Sequence, residues 1–290
     1  MIQASLKSEQ LRAALDRYLA SGDRLVFSLL TRHGGLPGPK PNHELAAAFA
    51  SELLGRGRAG DGVLRELLAG DADTVRATLP VVFLPVVGAH ALAARLAAGF
   101  DARASAAALS DLASDVRKVV RDGVVAALVG VAGRVDLLGV PELREGFLAK
   151  SVLLEALSTR SVCDRVARPA ELVALLDAAA TEIVDAPRSS ERSQGRRRLL
   201  EAIGETAPVF FRFPEARAWL IGAAGTPSPE LRLALERVVS TVQRQGVASS
   251  ELDPVRAALD ASAPTRRDPL SYKGPTRGRG RKRDRRAERK

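Results

Sequence analysis

DVRKVVRDGVVAALVGVAGR, residues 115–134, is the stretch that indicates the fold most clearly. Small and apolar residues recur in it every three or four positions, as on one face of an α-helix. Charged residues fill the gaps near its start, whereas the last turns are apolar on nearly every side. The positions at helical spacing are Val116, Val119, Val120, Gly123, Val124, Ala127, Leu128 and Val131. The stretch therefore predicts a helix whose C-terminal end is buried between neighbours.

Similar helical patterns lie on both sides of this stretch. Asn42 can cap one of these helices, and Pro141, Pro169 and Pro229 suit first helical positions, where a missing N–H costs nothing. Helices are predicted at 8–20, 23–32, 43–54, from 61, from 71 or 73, and at 79–94, 115–134, 141–157, 169–183, 190–211, 215–223, 229–245 and 250–259. No window alternates with period two, so the fold class is predicted to be all-α without a sheet.

Some of these helices indicate an internal repeat. Arg76, Arg117, Arg197 and Arg232 head similar helices, at intervals of 41, 80 and 35 residues. If the middle interval holds two units, the period is near 40, which is typical of a two-helix HEAT hairpin. We therefore expect an α-solenoid of degenerate HEAT-like hairpins. An irregular helical bundle is the alternative.

Several stretches resemble an uncharacterised bacterial family of HEAT-repeat domain-containing proteins. They are LLTRHGGLPGPKPNHELAAAFA, VVFLPVVGAHALA, SDVRKVVRDGVVAALVGVAG and PELRLALERVV, which lie within residues 25–245. The resemblance implies a right-handed helical solenoid in which Asp115 and Arg117 tie neighbouring hairpins together. It implies no activity. The Arg-rich end from Arg277 is not part of the family pattern.

Net charge divides the chain into two parts. Of the +10 total, residues 264–290 hold twelve Lys or Arg and three Asp or Glu, a net charge of +9, so residues 1–263 are close to neutral at +1. Large apolar residues are few in the basic segment, which cannot bury enough surface to offset the entropy of ordering. We therefore predict a helical-repeat domain at 1–263 and a disordered basic tail at 264–290.

The tail is the strongest functional feature of the sequence. The guanidinium groups of arginine bind phosphate and stack on bases. We therefore expect the tail to bind RNA or DNA without sequence preference. The residues expected to make these contacts are Arg277, Arg279, Arg281, Lys282, Arg283, Arg285 and Arg286. A tail that only solubilises the chain, or one that binds an acidic protein or an anionic membrane, is the alternative.

The motifs tested for chemistry favour structural interpretations. Gly55–Gly60 matches GxGxxG but follows a helix rather than a strand, so an interhelical loop is expected. His33 and His43 flank the Pro-rich loop without the further ligands that zinc requires. His90 is expected to be a hydrogen-bonded core residue, and Cys163 a free structural thiol. No metal and no cofactor is inferred.

The sequence thus favours a non-enzymatic, cytoplasmic interaction scaffold with a protein partner on the solenoid face and no small-molecule substrate. A single cysteine and the absence of an apolar signal core fit that location. The apolar run 79–94 is shorter than a membrane span and is expected to be a buried helix. A helical-repeat enzyme acting on alkylated bases is the alternative, with Trp219 and the phenylalanines at 210, 211 and 213 as its aromatic cluster.

Overall fold

The computed structural model describes residues 8–263, except 71, 72, 74, 77, 188 and 190–192. This part of the chain is all-helical and contains no strand, which confirms the predicted fold class. Its α-helices are α1 Ser8–Ser21, α2 Leu25–His33, α3 His43–Leu54, α4 Asp61–Leu68, α5 Phe83–Ala97, α6 Ala102–Ala113, α7 Lys118–Val131, α8 Phe147–Ser158, α9 Arg160–Cys163, α10 Pro169–Asp185, α11 Gln194–Phe210, α12 Pro214–Ala223, α13 Pro229–Arg244 and α14 Ser249–Ala261. Short 3₁₀ turns lie at Gly57–Gly60, Pro80–Val82, Leu137–Gly139 and Pro141–Arg144.

Capping side chains mark the start of α3, α11 and α13. The Asn42 side chain accepts a hydrogen bond from the backbone N–H of Leu45 at 3.0 Å, as predicted. Ser193 and Ser228 cap α11 and α13 in the same way. Each cap satisfies a backbone donor that the first helical turn leaves free. Local sequence therefore sets where these helices begin.

One predicted helix is wrong, another is divided, and two helices, α6 and the short α9, were missed. After α4, turns are found at Asp73 and Thr78, bends at Val75 and Leu79, and no regular structure at Arg76. Leu79 has extended backbone, as expected of a residue that precedes a proline. Arg76 therefore heads no helix. The predicted helix 141–157 is divided at Gly146, whose φ of 73° lies in the left-handed region. The Ala-rich helix α6 was not predicted from the sequence.

The helices pack in two series. One series runs α3, α5, α7, α8, α11 and α13, each helix contacting the next. Elsewhere α10 contacts α12, which contacts α14, and α6 packs on the Pro141–Arg144 turn. In the first series the central helix α5 is buried along most of its length, with Phe83, Val86 and Val87 fully enclosed. This confirms the buried helix predicted at 79–94.

The same segment resembles a membrane span in length and composition. Pro80–Ala97 is the one such stretch among the described residues, and 67% of it is buried inside the fold. Burial among neighbouring helices is what the core helix of a globular body requires.

Side-chain bonds join positions 32 to 42 residues apart along much of the described chain. They connect Arg12 with Glu52, Arg24 with Glu66, Asp61 with Arg95, Lys150 with Glu182, Arg196 with Glu230 and Arg217 with Glu251. Four of the six separations are 32 to 34 residues and two are 40 to 42, so they lie at or below the sequence interval of about 40 expected for a two-helix unit.

Candidate functional site

A polar cleft lies between α7 and α11, with α8 packed against both helices. Its volume is 530 Å³, within the usual range of ligand-binding clefts. Residues at helical spacing on each side point into the same space. The lining residues are Lys118, Arg121, Gln194, Arg197, Arg198 and Glu201. Four of these six side chains are cationic and one is anionic, and Asp122, Glu155 and Glu205 beside the cleft pair with two of the cations.

Arg198 has several carboxylate partners in this cleft. Its guanidinium pairs with Glu155 at 2.8 Å and with Glu201 and Glu205 at 3.2 Å each. Glu155 comes from α8, and burial raises the pKa of its carboxyl although Arg198 opposes the shift. These bonds hold Arg198 in place, so it is a fixed part of the cleft wall.

Arg121 stands in a different environment. The residue is only 5% exposed, and its Nη1 donates a 2.6 Å hydrogen bond to the backbone oxygen of Asp115. Among the residues that the structure describes, it forms no ion pair with a carboxylate. Burial lowers the pKa of this guanidinium and the charge of Arg198 adds to that effect, whereas the nearby carboxylates of Asp122, Glu155 and Asp115 oppose it. Arg121 is thus a buried cation whose charge is balanced by carboxylates nearby rather than by a direct ion pair.

A histidine pair lies on the same series of helices. His43 Nδ1 and His90 Nε2 are 3.3 Å apart, so one ring donates to the other. Burial, together with the neighbouring His43, lowers the pKa of His90 to about 4. Burial also lowers the pKa of His43, partly offset by Asp122. Both rings are therefore neutral at pH 7, which confirms His90 as a hydrogen-bonded core residue.

Asp115 and Arg117 make a structural contact at the start of α7. Arg117 pairs with Asp115 at 2.5 Å and donates to the backbone oxygens of Gly70 and Val75 at 2.8 and 3.1 Å. Both side chains are buried or nearly so. The pair ties the start of α7 to the segment after α4.

Other residues considered in the sequence occupy separate places. Gly55–Gly60 lies between α3 and α4, as expected for an interhelical loop. His43 pairs with His90 rather than with His33, and no group of three His, Cys, Asp or Glu within the described ranges could hold a metal. Cys163 is a buried free thiol.

The aromatic cluster of the enzyme alternative lies in the core. Trp219, Phe210 and Phe211 are buried among apolar residues and do not line the cleft between α7 and α11. The seven tail residues, from Arg277 to Arg286, lie outside the described residues. The structure therefore brings together a set of cations that sequence reasoning did not single out.

No family model, no curated protein and no solved structure matches this chain. Its function is therefore argued from the geometry of the cleft and from the distribution of charge. A local signal for the cleft exists in the sequence, since DVRKVVRD and QGRRRLLE both place basic residues at i, i+3 and i+4 spacing. Only the packing of α7, α8 and α11 in the fold brings the basic faces of α7 and α11 together.

Proposed function

We propose that this chain is a non-enzymatic, cytoplasmic interaction scaffold. Its helical body binds a protein partner, and its Arg-rich tail binds RNA or DNA without sequence preference. The observation that carries the proposal is the separation of charge. A net charge of +9 lies in residues 264–290, whereas residues 1–263 are close to neutral.

The proposed architecture of the body is an α-solenoid of degenerate HEAT-like hairpins. Two features support it: the successive contacts from α3 to α13, and the side-chain bonds between positions 32 to 42 residues apart. In a solenoid each hairpin contacts its neighbours, so bonds of one repeat length are expected along the chain. Such a body offers an extended surface for a protein partner.

The role of the tail can be tested on the full chain. A variant with Gln at the seven positions 277, 279, 281, 282, 283, 285 and 286 is compared with the unchanged chain for binding to labelled single-stranded RNA and DNA. We expect the Gln variant to bind much more weakly, as a version ending at Ala263 would also do. Equal binding by all three proteins would show that the tail is not the nucleic-acid site.

The protein partner requires a separate measurement. The full chain is purified from its native cell with and without nuclease treatment, and the retained proteins are identified. A scaffold should retain the same partner after nuclease treatment, because the body holds it directly. Loss of every protein after nuclease treatment would mean that nucleic acid alone links them.

A further inference from the structure

A groove of 350 Å³ lies between α10 and the segment that joins α12 to α13. Small and apolar side chains form most of its lining, with two carboxylates on α10 and no cation among the described lining residues. We propose that residues 266–273, the first part of the chain's own basic tail, dock in this groove. The inference goes beyond the proposed function and does not rest on nucleic-acid binding.

The last described helix ends beside this groove. The hydroxyl of Ser262, which follows α14, donates a 2.7 Å hydrogen bond to the backbone oxygen of Ala224. Ala223 and Gly225, the two neighbours of Ala224 in the chain, both line the groove. Because this bond holds Ser262 at the groove edge, the first residues of the tail are the part of the tail closest to the groove.

The tail is long enough to cover the groove. Ala263 and Leu270 are seven positions apart and span up to about 25 Å when extended. Asp177 and Asp185 are eight positions apart on α10, which is about 12 Å along the helix axis. Residues 266–273 can therefore reach both carboxylates from the end of α14.

Apolar side chains in the groove and in the tail match one another. Val184 lines the groove and is 40% exposed, one of the few large apolar side chains that the described fold leaves in water. Leu270 and Tyr272 are the only large apolar residues in 264–290, and both lie in the segment that reaches the groove. Packing of either side chain on Val184 removes apolar surface from water, which favours the docked state.

The charges of the groove and of the tail segment are complementary. Asp177 and Asp185 are exposed, and neither forms an ion pair with another described residue. Residues 266–273 contain the cations Arg266, Arg267 and Lys273 and one anion, so they carry a net charge of +2. The cations lie on both sides of the apolar residues of the segment, as the two carboxylates lie on both sides of Val184 or next to it. This complementarity favours a basic occupant over an acidic one.

Docking of 266–273 would leave the Arg-rich stretch from Arg277 outside the groove. That stretch would then extend from a point beside α10 and α12 instead of from the end of α14. A nucleic acid bound to it would be held near this face of the body.

Limited trypsin digestion of the full chain tests the docking, with initial cleavage rates in the tail followed by mass spectrometry. A docked segment resists the protease, because cleavage requires a segment released from the body. Asp177→Asn together with Asp185→Asn should speed cleavage after Lys273 about threefold or more, since proteolysis follows the population of the open form. Cleavage after Arg279 and Arg281 should not change, which gives a reference within the same chain.

Two further variants control for charge and for folding. Glu44→Gln together with Asp111→Asn removes two exposed carboxylates from α3 and α6 and should leave cleavage after Lys273 unchanged. Thr181→Arg keeps both aspartates but places a cation between them on the exposed face of α10, so it should speed this cleavage. Circular dichroism verifies each fold, and Thr181→Arg replaces the double Asn variant if that variant does not fold.

Cross-linking identifies the occupant of the groove. A carbodiimide couples a lysine amine to a carboxylate that it contacts, so the full chain should yield a link from Lys273 to Asp177 or Asp185. In an equal mixture of unlabelled and heavy-nitrogen-labelled chains, the two linked peptides should carry the same label. Linked peptides of mixed label in the proportion of random pairing would place the tail of a second copy in the groove and overturn the inference.

Two digestion results would also overturn it. One is an equal rate of cleavage after Lys273 in the unchanged chain and in the groove variant. The other is the same acceleration in the variant with Glu44→Gln and Asp111→Asn, which would indicate a general effect of charge. None of these measurements involves nucleic acid or a partner, so their failure is distinguishable from failure of the proposed function.

Discussion

The Nη2 of Arg117 lies 2.8 Å from the backbone oxygen of Gly70, 47 positions earlier in the chain. The same guanidinium pairs with Asp115, whose carboxylate also accepts the backbone N–H of Arg117 at 2.7 Å. The buried side chain of Arg117 thus bonds the N-terminal end of α7 to the backbone of the segment that follows α4. Since α7 forms one wall of the cleft, this contact also positions the candidate site.

Replacement of Arg117 is expected to destabilise the fold strongly. Arg117→Ala leaves the nearly buried Asp115 carboxylate without its ionic partner, which costs about 3–5 kcal/mol in comparable buried pairs. Urea unfolding followed by circular dichroism measures the loss. Lys118→Ala is the control, because its pair with Asp122 is exposed and should contribute less than about 1 kcal/mol. Similar losses in both variants would contradict the structural role of Arg117.

Two glycines on α7 predict opposite effects of the same substitution. A Cβ at Gly123 would lie 3.0–3.2 Å from Val86 side-chain carbons, where α7 crosses α5, so Gly123→Ala should lower the free energy of unfolding by about 1–3 kcal/mol. A Cβ at Gly130 would meet nothing within 4 Å, and Gly130→Ala should raise stability by up to about 1 kcal/mol. Thermal and urea unfolding give both values, and a matching sign for the two would refute the close crossing.

His90 predicts a loss of stability in mild acid. Its pKa is about 4 in the fold against 6.5 as the ordinary value, so the unfolded chain binds the proton more readily between these limits. The contribution of neutral His90 is complete above the unfolded pKa and is lost as the pH falls from about 6.5 towards 4. From pH 7 to pH 5, the unchanged chain should lose about 2 kcal/mol more than His90→Gln.

Gln at position 90 removes the protonation of the His90 ring without removing its hydrogen bond. An amide can still bond to Nδ1 of His43, so the variant removes the proton-binding group and keeps a polar partner. Urea unfolding of both proteins at the two pH values supplies the comparison. Equal pH dependence in the two proteins would mean that His90 is not protonated more readily after unfolding.

Most helices could be predicted from the sequence because capping residues, prolines and apolar spacing act within a few positions of one another. Asn42, Pro169 and Pro229 mark helix starts through capping and the fixed φ of proline, and the structure confirms all three. The α6 helix was not predicted, although its Ala-rich sequence has a high helix propensity. The break at Gly146 depends on a left-handed backbone, which an apolar pattern does not reveal.

The cleft could not be predicted in the same way. Arg121 and Arg198 are 77 positions apart, and each alone resembles a solvated charge on a helix. Their proximity depends on α8 packing against both α7 and α11, which is a long-range property. The burial of Arg121 is likewise set by neighbours distant in sequence, so it becomes visible only in the fold.

The tail predicts a steep dependence of nucleic-acid affinity on salt. Binding to single strands releases counter-ions, so the slope of log affinity against log salt concentration is about −0.7 per neutralised phosphate. Gln at the seven positions 277, 279, 281, 282, 283, 285 and 286 should make the slope shallower by up to about 5. The matched control places Lys at the six arginine positions and keeps the charge, so its slope should be unchanged while its affinity falls modestly. Anisotropy titrations over a range of salt concentrations measure each slope. An unchanged slope in the Gln variant would locate the phosphate contacts elsewhere on the chain.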